Sequence, residues 1–262
     1  SASIAIPQEC AATDSGLFTS FLTHPVRAMS FRPSISINDS RMYRAIKQEV
    51  KTSTPNCPNM EKGKPVWWDE AILFLRTDPY IGPLIDNYPG ESLEGRGDLF
   101  STLTRSIVGQ QISVLAADSI WERLVELVGE MKPTNILKFT PEQLAKCGIT
   151  GPKSRYIHGI AQDSERFIKP NFEKLSDNEI KKHFITFKGI GPWTAEMLMM
   201  FSLMRPDIFS IGDLGIVKAV QILEPKADTK ESIEKLAEQW KPYRTAACWY
   251  LWRMLDPVPV AY

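Results

Sequence analysis

From Trp67 to Leu255 apolar residues recur at helical spacing, and short clusters of capping residues cut the pattern into pieces with no rival run of β-branched residues at period two. Helices with one apolar face must bury it against other helices, so the fold class is all-α. The first piece, VWWDEAILFLRTD, is apolar at Trp67, Ala71, Ile72, Leu73 and Leu75 and ends at Asp78-Pro79. DLFSTLTRSIVG takes Asp98 as its N-cap and SVLAADSIWERLVELVG takes Ser113. Between them, GQQI sets two exposed amides at a helix junction. In TPEQLAKCG, Thr140 is the cap, Pro141 fits the first turn, Gln143 completes a capping box and Gly148 terminates. A longer helix is expected from about Pro152 to Ile168, with Ile157, Ile160, Ala161 and Phe167 inward. SDNEIKKHFITF is capped at Ser176 or Asp177, and the next helix carries Ala195, Leu198, Met199 and Ser202 on one side. IGDLGIVKAVQIL and KESIEKLAEQWKPYRTAACWYLWRML complete the set.

Residues 1–62 hold no such period. They are rich in Ser, Thr and Pro, end in the turn-rich KTSTPNCPNMEKGKP, and read as an irregular extension with one short strand around Phe31, Ile35 and Ile37. Residues 63–262 then form the functional domain. The chain opens on Ser, which leaves upstream trimming, as of a transit peptide, an open reading. No apolar run approaches the ~20 residues that cross a bilayer, and residues 1–30 lack the charged start and apolar centre of a secretory signal. An intracellular protein without a membrane partner is expected. The four cysteines, Cys10, Cys57, Cys147 and Cys248, lie far apart, which indicates neither disulfides nor a zinc or iron–sulfur site. No cofactor is expected.

The stretch FKGIGPWTAEM at 187–197 interrupts the helical pattern with two glycines, a proline and a tryptophan. Lys188-Gly189-Ile190-Gly191 makes a tight hairpin between two helices, and Pro192 suits the first turn of the second because no amide hydrogen is needed there. The amides at that helix start form a site for a phosphate, assisted by the helix dipole. The same residues also fit an ordinary corner in a helical bundle. Asp213, twenty residues after Trp193 in FSIGDLGIVK, reads as an N-cap, and a helix N-terminus also favours the negative charge that an electrostatic or general-base role requires. Total charge balances, with 31 basic and 31 acidic residues. On charge alone, Lys153, Arg155, Lys181, Lys182, Lys188, Lys241, Arg244 and Arg253 read as solvated faces, although a local basic face can still bind nucleic acid.

F-K-G-I-G-P-W-T-A followed by the Asp of G-D-L-G-I resembles the helix-hairpin-helix DNA glycosylase superfamily, in which the hairpin grips DNA and the aspartate serves cleavage of the base–sugar bond. RSIVGQQIS, LAKCGITGPKSRYI and WKPYRTAACWYLWR resemble segments of its 3-methyladenine DNA glycosylase II branch, so the likeness runs over roughly residues 66–256. It implies a helical bundle of two subdomains with a helix-hairpin-helix motif. It assigns Asp213 to the catalytic position, and Trp193 and Trp252 to aromatic walls of a flipped-base pocket. Gln110, Gln111, Ser113, Lys188, Gly189, Gly191 and Thr194 become DNA-binding residues, with Gln110 and Gln111 in the loop that enters the minor groove. The backbone carbonyls of Ile185, Phe187 and Ile190 match a place where relatives hold a monovalent cation.

Members that also cut the backbone use a lysine where this chain has Trp193, and endonuclease III carries cluster-binding cysteines that this chain lacks. The resemblance therefore implies a monofunctional glycosylase, acting as a monomer on duplex DNA that contains alkylated bases. Gln111 stands where a bacterial member inserts a leucine wedge; an amide there can instead hydrogen-bond to groove acceptors. Alkylated purines carry positive charge and leave readily, so one aspartate suffices to stabilise the sugar cation, and aromatic walls favour the charged base. The competing readings are a damaged-DNA-binding protein without catalysis, a helical interaction domain, and a glycosylase for deaminated, etheno or oxidised bases. Glu196 is expected to face solvent, His158 and His183 to lie at the surface or touch DNA, and Trp240 and Trp249 to pack in the core.

Overall fold

The computed structural model describes residues 62–256. The extension up to residue 61, the strand expected around Phe31, Ile35 and Ile37, and Cys10, Cys57 and His24 lie outside the described residues.

The described chain is helical, as its pattern predicts, apart from a two-residue antiparallel ladder in which β1 (Lys62–Gly63) pairs with β2 (Gly95–Arg96). The helices are α1 (Trp68–Leu75), α2 (Ile81–Asn87), α3 (Leu99–Gly109), α4 (Val114–Val128), α5 (Pro133–Ile136), α6 (Pro141–Ala145) and α7 (Gly151–Gln162). There follow α8 (Ser164–Ile168), α9 (Asp177–Ile185), α10 (Pro192–Phe201), α11 (Leu214–Leu223), α12 (Lys230–Ala237) and α13 (Arg244–Leu255). Predicted caps form where the sequence puts them. Asp98 accepts from the Ser101 amide, and Ser113 accepts from the Ala116 amide at 3.3 Å. Thr140 with Gln143, and Ser176 with Glu179, close capping boxes. Each such cap satisfies amides that the helix itself cannot, worth about 1 kcal/mol.

The structure departs from or adds to the local pattern at four places. Leu73 is 67% exposed, because it lies about 200° around the helix from both Ala71 and Leu75; Trp68 and Phe74 are buried in its place. Helix α2 was not foreseen, since its cap is remote from the usual pattern: Asp78, expected only to end a helix, accepts the amides of Tyr80 and Ile81 at 2.9 Å each. The helix expected to reach Ile168 breaks at Asp163, where φ is −103° and ψ 25°. The Asp163 carboxylate accepts from Arg166 Nε at 2.6 Å across the break, and Phe167 is fully buried beyond it. Finally, α10 has no solvent side: Thr194 through Phe201 are all buried, the mark of a helix at the centre of a fold.

Two groups of helices surround this centre. Helices α3 to α10 pack among themselves, with α3 and α9 against α10, while α13 gathers α1, α2 and α11. The apolar core runs through both groups without a break. Trp240 and Trp249 belong to it, as expected, and Trp249 meets Trp68 edge-on at 5.5 Å. Cys147 and Cys248 are buried free thiols whose pKa values burial pushes up, so both resist ionisation. Residues 202–213 cross from one group to the other. Trp67 Nε1 donates to the Met204 carbonyl at 2.7 Å, and Thr245 Oγ1 accepts the Ile208 amide at 3.0 Å, fastening the crossing segment to the second group.

Candidate active site

The hairpin joins α9 to α10. Gly189 has φ +93°, and a Cβ there would stand 2.6 Å from Cδ2 of Tyr156 on α7. The ring closes the inner side of the turn, so only glycine fits. Gly191 differs: its φ is −88°, it is exposed, and nothing lies within 4 Å of where its Cβ would be. No neighbour inside the molecule requires a glycine at 191. Pro192 and Lys188 are exposed on the same turn, at the positive end of the α10 dipole.

Gln110 is not an exposed amide. Its Nε2 donates to the Gly189 carbonyl at 3.2 Å and to Thr194 Oγ1 at 3.3 Å, tying the α3–α4 loop to the hairpin. Gln111 is exposed and its own backbone takes the left-handed conformation, with φ 61°. Ser113 caps α4 just beyond it. Lys153, expected in solvent, donates Nζ to the Val108 carbonyl at 3.0 Å and to the Gln110 carbonyl. Its ammonium thus sits on the negative end of α3, and burial pushes its pKa down.

Asp213 starts α11 at the seam between the two helix groups. Its Oδ1 accepts the Ile216 amide at 2.9 Å, the cap role read from the sequence. The same oxygen accepts Nε1–H of Trp252 at 3.1 Å, and Oδ2 accepts Nε1–H of Trp193 at 2.8 Å. Trp193 begins α10 and Trp252 comes from α13, so each group supplies one indole. Both are bound edge-on to the carboxylate through their N–H groups. Trp252 is only 6% exposed and stacks on Phe201 at 6.0 Å. Gly215, which the sequence reading passed over, keeps this corner open: a Cβ there would stand 3.0 Å from Asp213 Oδ1 and 3.4 Å from Trp252 Cδ1.

Glu196 corrects the expectation of a solvent-facing acid. It is buried, accepts from Lys181 Nζ and from Ser210 Oγ at 2.5 Å each, and belongs to the wall behind Asp213. His183 is part-buried among Phe172, Phe184 and Phe187, and its Nε2 donates to the Phe167 carbonyl at 3.3 Å. Among the other basic candidates, Arg244 pairs with Asp207, Arg253 with Glu91 and Lys241 with Glu238, while Arg155, Lys182 and Lys188 are exposed. Lys153, Lys181, Lys241, Arg244 and Arg253 are thus engaged within the protein, the Lys241 pair at its surface, while Lys188 on the hairpin is exposed.

A helix-hairpin-helix with an exposed start thus stands beside a capping carboxylate that two indoles hold at a seam between helical groups. Residues 104–242 match the family of HhH-GPD superfamily base excision DNA repair proteins, and the chain belongs to that family. It is 32% identical over 196 residues to the DNA-3-methyladenine glycosylase of Bacillus subtilis, covering 69% of this chain and 65% of that protein. It is 34% identical over 179 residues to DNA-3-methyladenine glycosylase 1 of Schizosaccharomyces pombe, covering 65% of this chain and 78% of that one. The structure of an S. pombe 3-methyladenine DNA glycosylase in complex with abasic DNA superposes with a TM-score of 0.61 at 30% identity, over 70% of this chain and 95% of that one.

Proposed function

We propose that the protein is a monofunctional DNA glycosylase that flips alkylated purines, of the 3-methyladenine and 7-methylguanine type, out of duplex DNA and hydrolyses the N-glycosidic bond, leaving an abasic site in base excision repair. The observation that carries this reading is the Asp213 carboxylate, held by Trp193 and Trp252 beside an exposed hairpin. The names of the relatives and the abasic DNA bound by the S. pombe neighbour support it.

The chemistry follows from the leaving group. A purine alkylated on its ring nitrogen is cationic, so the C1′–N bond breaks without an added acid and the electron pair neutralises the base. Positive charge appears on the sugar, where an adjacent carboxylate stabilises it until water adds and gives up a proton. In this reading Asp213 supplies that carboxylate. Trp193 and Trp252 orient it through their N–H groups, and the half-buried Trp193 presents a ring face to the cationic base, a cation–π contact worth about 0.5–2 kcal/mol.

DNA is held by the hairpin residues Lys188, Gly189 and Gly191, by the backbone amide of Thr194, whose side chain is buried, and by the loop of Gln110, Gln111 and Ser113. The exposed space at Gly191 admits a phosphate to the start of α10. Gln111 enters the duplex, and Gln110 braces it from the protein side. A monovalent cation on the carbonyls of Ile185, Phe187 and Ile190 belongs to the same reading. The Phe187 carbonyl spends one lone pair on the Ile190 amide at 3.1 Å and keeps another, and neutral carbonyl oxygens suit alkali ions. The catalytic unit is residues 63–262, working as a monomer.

The test is release of free bases from methylated duplex DNA, with strands analysed before and after alkali. Methylated purines should appear while strands stay intact until alkali opens the abasic sites. Tight binding to the same DNA without base release would instead leave a damage-binding protein.

A further inference from the structure

We infer that Glu196 is a positioning residue for base excision, acting through Ser210 on the backbone of Asp213; this rests on the reading of Asp213 as the group that faces the sugar. Glu196 lies three residues after Trp193 on α10, close to one turn along the same side of the helix. It is 7% exposed, yet it carries an ion pair: Lys181 Nζ on α9 donates to Oε1 at 2.5 Å. Its other oxygen, Oε2, accepts from Ser210 Oγ at 2.5 Å, and Ser210 is fully buried. The Ser210 carbonyl in turn accepts the amide of Asp213 at 3.0 Å. Lys181, Glu196 and the Ser210 hydroxyl are thus joined by hydrogen bonds, and Ser210 itself carries the connection on, through its carbonyl, to the backbone of the candidate catalytic residue.

Helix α10 reaches Asp213 twice. Trp193 fixes the carboxylate, and Glu196 fixes the turn that presents it. The far flank of the same segment is held by Thr245 on α13, which accepts the Ile208 amide at 3.0 Å and donates to the Arg205 carbonyl at 2.6 Å. A neutral hydroxyl on the Thr245 flank and a charge on the Glu196 flank are not equivalent. A buried carboxylate is costly to desolvate, and apolar residues of similar volume usually pack such a place at no loss of stability. What the charge adds is short, directional hydrogen bonding, which fixes geometry. Geometry at this turn sets where the Asp213 oxygens meet the sugar.

The experiment uses the full chain and a duplex with one 7-methylguanine. Single-turnover release, the Kd for a duplex holding an abasic-site analogue, and thermal melting are measured for wild type, Ser210→Ala, Glu196→Gln and Asp213→Asn. Ser210→Ala removes one hydroxyl and preserves the ion pair, so it decides the matter even where Glu196→Gln lowers the fold's stability. Both variants should slow release by about tenfold or more, the cost of a small misplacement at a reacting centre, while Kd stays within about threefold of wild type. Release within about twofold of wild type in Ser210→Ala, or a Kd that weakens in step with the rate, overturns the inference. Full activity in Asp213→Asn would instead defeat the reading of Asp213 itself.

Discussion

An aspartate that caps a helix is ordinary, and its neighbours are what set Asp213 apart. Three N–H groups converge on one carboxylate, from Ile216, Trp193 and Trp252. The cap was legible in GDLGI because it depends on residues three apart. The indole contacts were not, since the two tryptophans stand 20 and 39 residues away, and only the resemblance drew attention to them. Even so, it cast them as pocket walls and said nothing of their N–H groups. Glu196 was misread for a related reason: an acid at helical spacing looks solvated unless its helix is buried on every side, which a local pattern cannot reveal. Trp193→Phe keeps a ring and deletes the donor to Oδ2. It should slow single-turnover release by roughly tenfold, the loss of one charge-assisted hydrogen bond of about 1.5 kcal/mol, and leave affinity for abasic-site DNA unchanged. Equal rates in a quenched-flow comparison would show that the indole N–H is idle.

At the scale of elements, the hairpin's two glycines answer to different constraints. Gly189→Ala meets both a φ of +93° and the Tyr156 ring at 2.6 Å, so it should cost more than about 1 kcal/mol of stability in denaturant unfolding. Gly191→Ala finds open space and should cost less than about 1 kcal/mol as a cap change, yet weaken binding to duplex DNA because the added methyl stands where the phosphate is read to approach. If both variants melt alike and bind alike, that division is wrong. The sequence announced the hairpin through its glycines and proline. It was silent on the brace from Gln110, which joins residues 79 positions apart.

Helix α13, which brings Trp252 to Asp213, is tied at its end by Arg253. That guanidinium donates to both Glu91 oxygens, at 2.6 and 3.1 Å, and holds the Glu91 carboxyl below its ordinary value of 4.5. A carboxyl depressed in the fold stabilises it above the unfolded value, and the gain disappears as pH falls through the depressed one. Melting temperatures of wild type and Arg253→Met should therefore differ at pH 7 and converge toward pH 3, as followed by circular dichroism.

Over the whole molecule, the all-α class was readable because capping boxes and helical spacing agree along nearly all the described chain. The arrangement into two groups was not, because it is set by α10 taking the centre and by residues 202–213 crossing between groups. The crossing puts Asp213 where both groups reach it, so a carboxylate held by an indole from each group stands beside the exposed hairpin. Arg253, Arg244, Lys181 and Lys241 are paired with carboxylates, whereas Lys182 and Lys188 beside the hairpin are exposed. Affinity for duplex DNA should fall with salt, and Lys188→Ala should reduce the slope of log K against log salt by about one. A slope unchanged in fluorescence anisotropy titrations would remove Lys188 from the contact surface.

In the proposed function Asp213 carries base excision while the hairpin carries binding. Its most direct test is release of methylated purines from one duplex by wild type and Asp213→Asn, with binding to that duplex measured alongside. Loss of a stabilising carboxylate predicts release slower by about 100-fold or more, affinity preserved, and no strand breaks before alkali. Release by Asp213→Asn at the wild-type rate would show that the carboxylate plays no part in excision.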